Sequence, residues 1–408
     1  MSYSILTLET LPAYMRGKAA ELPAWFDTAA NLEIVELSDG NLNAVYRVTS
    51  NTASLIVKQG LPYLRVAGEA WPLSAARAGF EALALEWQWR LARGSVPEPY
   101  LFDEDMCVNI VEDLRGYAVA RKPMIDRLEI PNLGSSIGGF LARTLFGTSD
   151  FGLEAGDKKR LQAQFCNVEL CEITEDLIFT EPFEAVLLAG KTNRNHFDAG
   201  VKPALEMMQS NAALKLEVAR LKHHFMTAGQ ALLHGDLHTG SIMVNANGNL
   251  RVIDPEFAFY GPMGFDLGVF IANLHLNAMS QHGHAPDESA FRAYQFYLIR
   301  EARACWEAFS SGFTAQMLTA NSVSWRNVGF TDAILLEVLR DMCGFAGCEI
   351  IRRSVGFAHV LDVDSIPDTT ARITVLEQNL YLGSTLILER HTINTYADFE
   401  RFVMEELV

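Results

Sequence analysis

The chain has 408 residues, 49% of them hydrophobic and 20% charged, with a formal net charge of −17. That length and apolar content suit two or three lobes with a sizeable core, and the low charged fraction argues against a long disordered tail. The acidic balance argues against general nucleic-acid binding, which needs a basic face. Six cysteines (Cys107, Cys166, Cys171, Cys305, Cys343 and Cys348) form no C-x-x-C pair and no zinc spacing, and read as buried thiols in a reducing compartment. The sequence begins Met1-Ser2-Tyr3-Ser4-Ile5, without a basic stretch followed by an apolar one, and no eighteen-residue apolar run occurs. These features predict a cytoplasmic protein with no membrane span.

In chain order, the first predicted element is a β meander. Residues 33–37, 44–48 and 55–59 are short apolar runs separated by polar turns. The turn Asp39-Gly40-Asn41-Leu42-Asn43 carries one glycine. It reads either as an ordinary Asx and Gly turn, or as a phosphate-covering loop in which Asn41 and Asn43 supply side-chain donors. Lys58 ends the third run, where an ammonium either reaches α/β-phosphates or extends to water. Residues 74–93 predict a helix, with Leu83, Trp87 and Arg90 at helical spacing. Glu81 and Glu86 on that helix are both candidate partners for Lys58, Glu81 being preferred. Residues 100–102 and 107–111 predict two more strands. At Glu112-Asp113-Leu114 the chain leaves the sheet, and backbone groups at such a junction can pair with an adenine edge whatever the side chains are.

Beyond about residue 130 helical patterns dominate, over 138–145, 211–231, 266–280, 288–309, 331–360 and 370–390. Residues 148–205 break into short charged pieces that assign no element. There is no internal repeat and no low-complexity segment. The outline is α+β: a small β-rich N-terminal lobe over 1–113 and a larger, mainly helical lobe over 114–408.

The richest stretch is Leu233-His234-Gly235-Asp236-Leu237-His238-Thr239-Gly240-Ser241, followed by Ile253-Asp254-Pro255-Glu256-Phe257. Residues 242–253 between them read as two strands joined by an Asn247-Gly248 turn. Folding that hairpin brings Asp236 toward Asp254 and Glu256. A catalytic-loop Asp, a hairpin and then a metal-binding Asp is the layout of kinase-type phosphoryl transfer. Asp236 is the candidate base, accepting a proton from an alcohol or sugar hydroxyl. His234, two residues earlier, is the candidate for holding the turn. Asp254 and Glu256, at i and i+2 of a strand exit, are expected on one side, and two such carboxylates suit Mg²⁺ with phosphate oxygens. Glu349-Ile350-Ile351-Arg352-Arg353 lies in an apolar helix. Adjacent helix positions differ by about 100°. One arginine, Arg353 by its i+4 spacing, is therefore expected to pair with Glu349, leaving Arg352 for a ligand.

In this order the motifs resemble the 5-methylthioribose kinases, of the aminoglycoside phosphotransferase and choline kinase group. The resemblance runs from about residue 37 to 359. Besides the segments above it includes Gly68-Glu69-Ala70-Trp71-Pro72-Leu73, Val111-Glu112-Asp113-Leu114, Phe165-Cys166-Asn167, Leu170-Cys171-Glu172-Ile173-Thr174-Glu175, Gly261-Pro262-Met263-Gly264-Phe265-Asp266 and Ile351-Arg352-Arg353-Ser354-Val355-Gly356. It implies a protein-kinase-like bilobal fold and a homodimer. It implies ATP bound by Asn41, Lys58, Glu112, Asp113 and Leu114, with Asp254-Pro255-Glu256 holding Mg²⁺. Asp236 would meet the 1-hydroxyl of methylthioribose, Arg352 or Arg353 would contact the sugar, and the product would be the 1-phosphate of methionine salvage. Ser241 stands where most relatives carry a metal-binding Asn, and Glu256 is the candidate compensation. The alternatives are a kinase of another small alcohol, such as an aminoglycoside or choline, and a nucleotide-binding protein without activity. Against the last, Lys58, Asp236 and Asp254 are all present. Against cationic acceptors, the arginine pair is expected to repel them.

Overall fold

The structure, a computed structural model, describes residues 3–37, 42–51, 53–64 and 68–407. The chain forms two compact units, Met1–Tyr117 with Arg251–Ala258, and Ala118–Leu250 with Phe259–Val408. The sequence outline has one cut after residue 113; instead the segment Arg251–Ala258, which carries Asp254 and Glu256, belongs with the β-rich unit.

In the first unit, five antiparallel strands run in the order Leu32–Leu37, Asn43–Ser50, Ala53–Gly60, Val108–Glu112, Pro99–Asp103. Alternation decides which side chains face the core. Tyr46 lies opposite Val57 and Val48 opposite Leu55, and all four are buried with Val108, Ile110, Leu11 and Met15. Such cross-strand pairs of aromatic and branched side chains stabilise a sheet by roughly 0.2–1 kcal/mol each. Gln59 shares that face. Its buried amide accepts from the Leu6 N–H (2.8 Å) and donates to the carbonyls of Ser4 (2.9 Å) and Met106 (3.0 Å). It thus ties the N-terminal segment to the sheet without stranding a polar group. Lys58, one residue earlier, points to the other face. There the helix Ala78–Leu91 packs, and Asn109 Nδ2, opposite Lys58 in the ladder, donates to the Ala78 carbonyl at 2.9 Å.

The second unit is mainly helical. Its long elements are Leu133–Thr148, Ala212–Thr227, Gly264–His284, Glu288–Met317, Phe330–Val355 and Thr369–Glu389. All six predicted helices are there: 138–145, 266–280 and 288–309 are longer than the periodic stretch suggests, and 370–390 keeps its length as Thr369–Glu389. Two are shorter: 211–231 stops at Thr227, before a short strand Ala231–Leu232, and 331–360 stops at Val355. The unassigned 148–205 stretch holds Ala155–Gln164, Val168–Phe179 and Lys202–Ser210 with irregular connections. Glu181 there is 1% exposed and accepts from both the backbone and the guanidinium of Arg194. The charged pieces of that stretch are therefore partly internal pairs, which is why they give no clean amphipathic period.

His275, in Gly264–His284, is 1% exposed, and neither ring nitrogen has a hydrogen-bond partner among the described residues. Burial pushes its pKa down to about 4. The folded state therefore takes up this proton at lower pH than an ordinary histidine does. The stabilisation is intact above about pH 6.5 and is lost as pH falls toward 4, by about 3 kcal/mol in total. Replacing His275 with Phe should flatten that part of the stability–pH curve in denaturant titrations. An unchanged slope would mean another group causes the acid sensitivity.

Candidate active site

In the first unit, Lys58 Nζ lies 2.6 Å from Asp254 Oδ1 and 2.8 Å from Glu81 Oε1. Glu81 is thus the helix acid that meets Lys58, while Glu86 pairs with Arg90 on the surface. Burial works against the Lys58 ammonium, but Asp254, Glu81 and Glu256 outweigh it and hold the pKa above its ordinary value. Glu81 is pushed up to about 7, because burial and the charges of Asp254 and Glu256 exceed the help from Lys58. Asp254 is the dominant partner of the lysine, by distance and by charge.

Asp254 and Glu256 are not positions i and i+2 of a strand exit, as the sequence suggests. The strand ends at Val252, Asp254 is left-handed at φ +62°, and Pro255–Phe257 is a turn of 3₁₀ helix. Short polar residues tolerate that φ region. Asp254 has a side chain 45% exposed, but Glu256 is only 9% exposed. Its Oε2 accepts from Asn43 Nδ2 at 2.9 Å and lies 3.6 Å from Arg77 Nε. Asn43 Oδ1 in turn accepts from Arg77 Nη2 at 2.9 Å. Asn43 is therefore engaged in fixing Glu256, contrary to its reading as a phosphate donor; Asn41 lies outside the described residues. At the sheet exit, the Asp113 carboxylate accepts from Arg47 Nε (2.8 Å) and Nη2 (3.0 Å) and from Ser54 Oγ (2.6 Å). Glu112 Oε2 accepts from the Glu98 N–H at 3.1 Å, and Leu114 is buried. The side chains of Glu112 and Asp113 are thus engaged within the unit.

In the second unit, the loop bearing Asp236 is held from several sides. Asp266, fully buried, accepts from the N–H groups of His234 (2.7 Å) and Gly235 (3.0 Å). His234 is 2% exposed and its Nδ1 faces the Asp236 N–H at 3.4 Å, so it holds the turn as expected. Ser241 Oγ donates to the Asp236 carbonyl at 3.1 Å. The turn after Ile242–Asn245 is not the two-residue Asn-Gly type, which needs positive φ at both positions. Only Gly248 has positive φ (+78°), and the Asn245 side chain accepts from the N–H groups of Asn247 and Asn249 at 3.0 Å each. The Gly248 N–H also bonds the Asn245 carbonyl at 2.9 Å.

The arginine pair departs from expectation. Both guanidiniums bridge the same two carboxylates. Arg352 Nε donates to Glu349 Oε2 at 2.5 Å and Arg353 Nε to Glu349 Oε1 at 2.8 Å. The Nη2 of each lies 3.2 Å from Asp236 Oδ1. Spacings of i+3 and i+4 both return to the face of Glu349, and the long arginine stems absorb the 100° between neighbours. Asn273 Nδ2 completes the cage on Glu349 at 3.2 Å. Burial opposes the Asp236 and Glu349 charges, but His238 first, then Arg353 and Arg352, hold Asp236 well below the usual carboxylate range, and Arg352 and Arg353 lower Glu349 too. Asp266, His238 and Arg121 had no role assigned from the sequence. Arg121 Nε lies 3.0 Å from Thr239 Oγ1 and 3.3 Å from Asp362 Oδ2, and its Nη2 lies 2.9 Å from Asn273 Oδ1. His238, by its place in the Asp236 loop, and Asp266, which ends the segment 261–266 of the resemblance, carried a signal; Arg121 carried none.

Residues 33–309 match the phosphotransferase enzyme family. The chain is 42% identical over 388 residues to a methylthioribose kinase of Bacillus cereus, covering 95% of this chain and 93% of that one. It is 41% identical to one of Bacillus anthracis over the same shares. Solved structures that align with it include a glucosamine kinase (TM-score 0.49, 14% identity, 91% of this chain and 83% of that one) and a Plasmodium vivax ethanolamine kinase (TM-score 0.47, 12% identity, 98% and 92%).

Proposed function

Because this chain belongs to the phosphotransferase enzyme family, we propose that it is an ATP-dependent kinase of 5-methylthioribose, transferring the γ-phosphoryl group to the sugar's 1-hydroxyl in methionine salvage. The observation that carries this reading is the near-full-length likeness to proteins named methylthioribose kinase. It agrees with the division into a β-rich and a helical unit and with the charged sets found in each.

In the first unit, Lys58 serves the α/β-phosphates as a point charge, oriented by Glu81. The backbone of Glu112, Asp113 and Leu114 takes the adenine edge, and Asn41 covers the phosphates. Asp254 and Glu256 supply hard oxygen donors, and Mg²⁺ commonly uses one or two carboxylates plus phosphate oxygens, so the donor set fits that ion. When bound, the ion neutralises charge on the phosphates. In the second unit, Asp236 accepts the hydrogen bond of the sugar hydroxyl and takes its proton. Arg352 and Arg353 fix that carboxylate and contact the sugar. The same reading makes the protein a cytoplasmic homodimer. Among the described residues, no helix is long and apolar enough to cross a membrane.

Asp254→Ala and Glu256→Ala should each raise the Mg²⁺ concentration needed for half-maximal rate, and the double variant should be non-additive because one ion is shared. An unchanged Mg²⁺ titration for Glu256→Ala would confine Glu256 to its bond with Asn43. The reading as a whole is tested by kcat/KM for methylthioribose, ribose, choline and kanamycin. Methylthioribose should be preferred, and a preference for either cation would overturn it.

A further inference from the structure

His238 lies on the loop that carries Asp236 and has no part in the mechanism above. Its Nε2 lies 3.3 Å from Asp236 Oδ2. Its Nδ1 accepts from the Gly240 N–H at 2.9 Å, with Ser241 Oγ at 3.4 Å. A backbone N–H can only donate, so Nδ1 is an acceptor and the ring proton sits on Nε2, facing the carboxylate. The tautomer is therefore built into the loop. Gly240 is part of the device: a Cβ there would lie 2.7 Å from His238 Cε1 and 2.9 Å from Nδ1, so a larger residue would displace the ring.

Asp236 is thus gripped at both oxygens. Oδ1 faces Arg352 and Arg353, and Oδ2 faces His238. A carboxylate held only at Oδ1 could still rotate about its last torsion, which is broad and nearly two-fold. A second donor at Oδ2 fixes the plane.

We propose that His238 is a positioning residue for Asp236, its neutral imidazole donating from Nε2 to Oδ2 so that the carboxylate presents a fixed plane to the acceptor hydroxyl. The proposal rests on Asp236 being the base. The charged groups around this pair are Arg121 from the helix Arg121–Ile125, Asp266 from Gly264–His284, Glu349, Arg352 and Arg353 from Phe330–Val355, and Asp362. Burial holds His238 neutral, with Arg121 and Arg353 adding to that effect and Asp236 opposing it. Removing the donor therefore takes away a contact that favours ionised Asp236, and the acid limb of activity should move to higher pH.

The test compares His238→Ala, His238→Gln and Asp236→Asn in the full-length protein, with kinetics, pH profiles and thermal melts. His238→Ala should lower kcat about 10- to 100-fold, the size of one charge-assisted hydrogen bond, with KM for ATP unchanged and the acid limb of kcat/KM raised. His238→Gln, whose amide keeps a donor at similar reach, should recover part of kcat and return the acid limb. Wild-type kcat and pH profile in His238→Ala overturn the proposal. So does a folded His238→Gln that is as slow as His238→Ala. If His238→Ala is normal while Asp236→Asn is inactive, only the positioning role fails. If Asp236→Asn keeps wild-type turnover, the assignment of the base fails and the role of His238 with it.

Discussion

Asp236→Asn is expected to lower kcat by at least about 10²-fold while leaving ATP binding intact, the usual scale for loss of a general base. Asparagine fills the same volume but cannot reproduce the charge. Its single oxygen can face either Arg352 and Arg353 or His238, and its amide group then meets donors on the other side. The wild-type carboxylate stays ionised far into acid, which makes it a weak base in the free protein. In its proposed role as base, a carboxylate held below its ordinary range would take the proton late, when the hydroxyl oxygen has already become acidic through bonding to phosphorus. That timing suits the loose transition state of phosphoryl transfer, in which positioning and charge stabilisation do most of the catalysis. Near-wild-type turnover of Asp236→Asn, measured with saturating ATP, would remove Asp236 from the chemistry.

Glu349→Gln should cost about 3–5 kcal/mol of stability, read as a shift in denaturant unfolding, because it leaves buried arginine charge uncompensated. Glu349 is 0% exposed and meets both Nε groups. The cage also changes the expectation for the arginines themselves. Since each bridges Glu349 and Asp236, Arg352→Ala and Arg353→Ala should resemble one another, both losing stability and both lowering kcat. A clean split, with one variant altered only in sugar KM and the other only in stability, would mean that the two side chains are not equivalent in the working enzyme. A loss under about 1 kcal/mol for Glu349→Gln would place the cage among pairs that desolvation leaves nearly neutral.

The same cage alters the argument about substrate. Two guanidiniums are matched by the carboxylates of Glu349 and Asp236, and Arg121 by Asp362. Repulsion of a cationic acceptor by the arginine pair therefore loses its force. The choice of methylthioribose over choline or an aminoglycoside rests on the likeness to named relatives.

The strands and long helices were legible because burial there follows a simple period. Tyr46 and Val48 alternate with half-exposed neighbours, and Lys58 falls on the face opposite that core, as period two requires. Lys58 with Glu81 could be read for the same reason, one side chain per element and a short span between them. What was not legible depends on backbone detail or on convergence of distant segments. The Asp254–Glu256 geometry turns on one left-handed residue and a single 3₁₀ turn. The link between Asn43 and Glu256 joins residues 213 apart in the chain. The double bridge of Arg352 and Arg353 depends on flexible stems, which helix spacing alone does not describe. Asp266 stood in a segment of the resemblance without a role, and only the folded loop brings the N–H groups of His234 and Gly235 onto its two oxygens.

The most direct test of the central claim is ³¹P NMR of the product formed by the purified protein from ATP and 5-methylthioribose, with Asp236→Asn run in parallel. The account predicts one new phosphate monoester, coupled to the anomeric proton and therefore on the 1-hydroxyl, with its formation slowed at least about 10²-fold in the variant. Phosphate on another hydroxyl, no transfer to the sugar, or equal rates in the two proteins would contradict it.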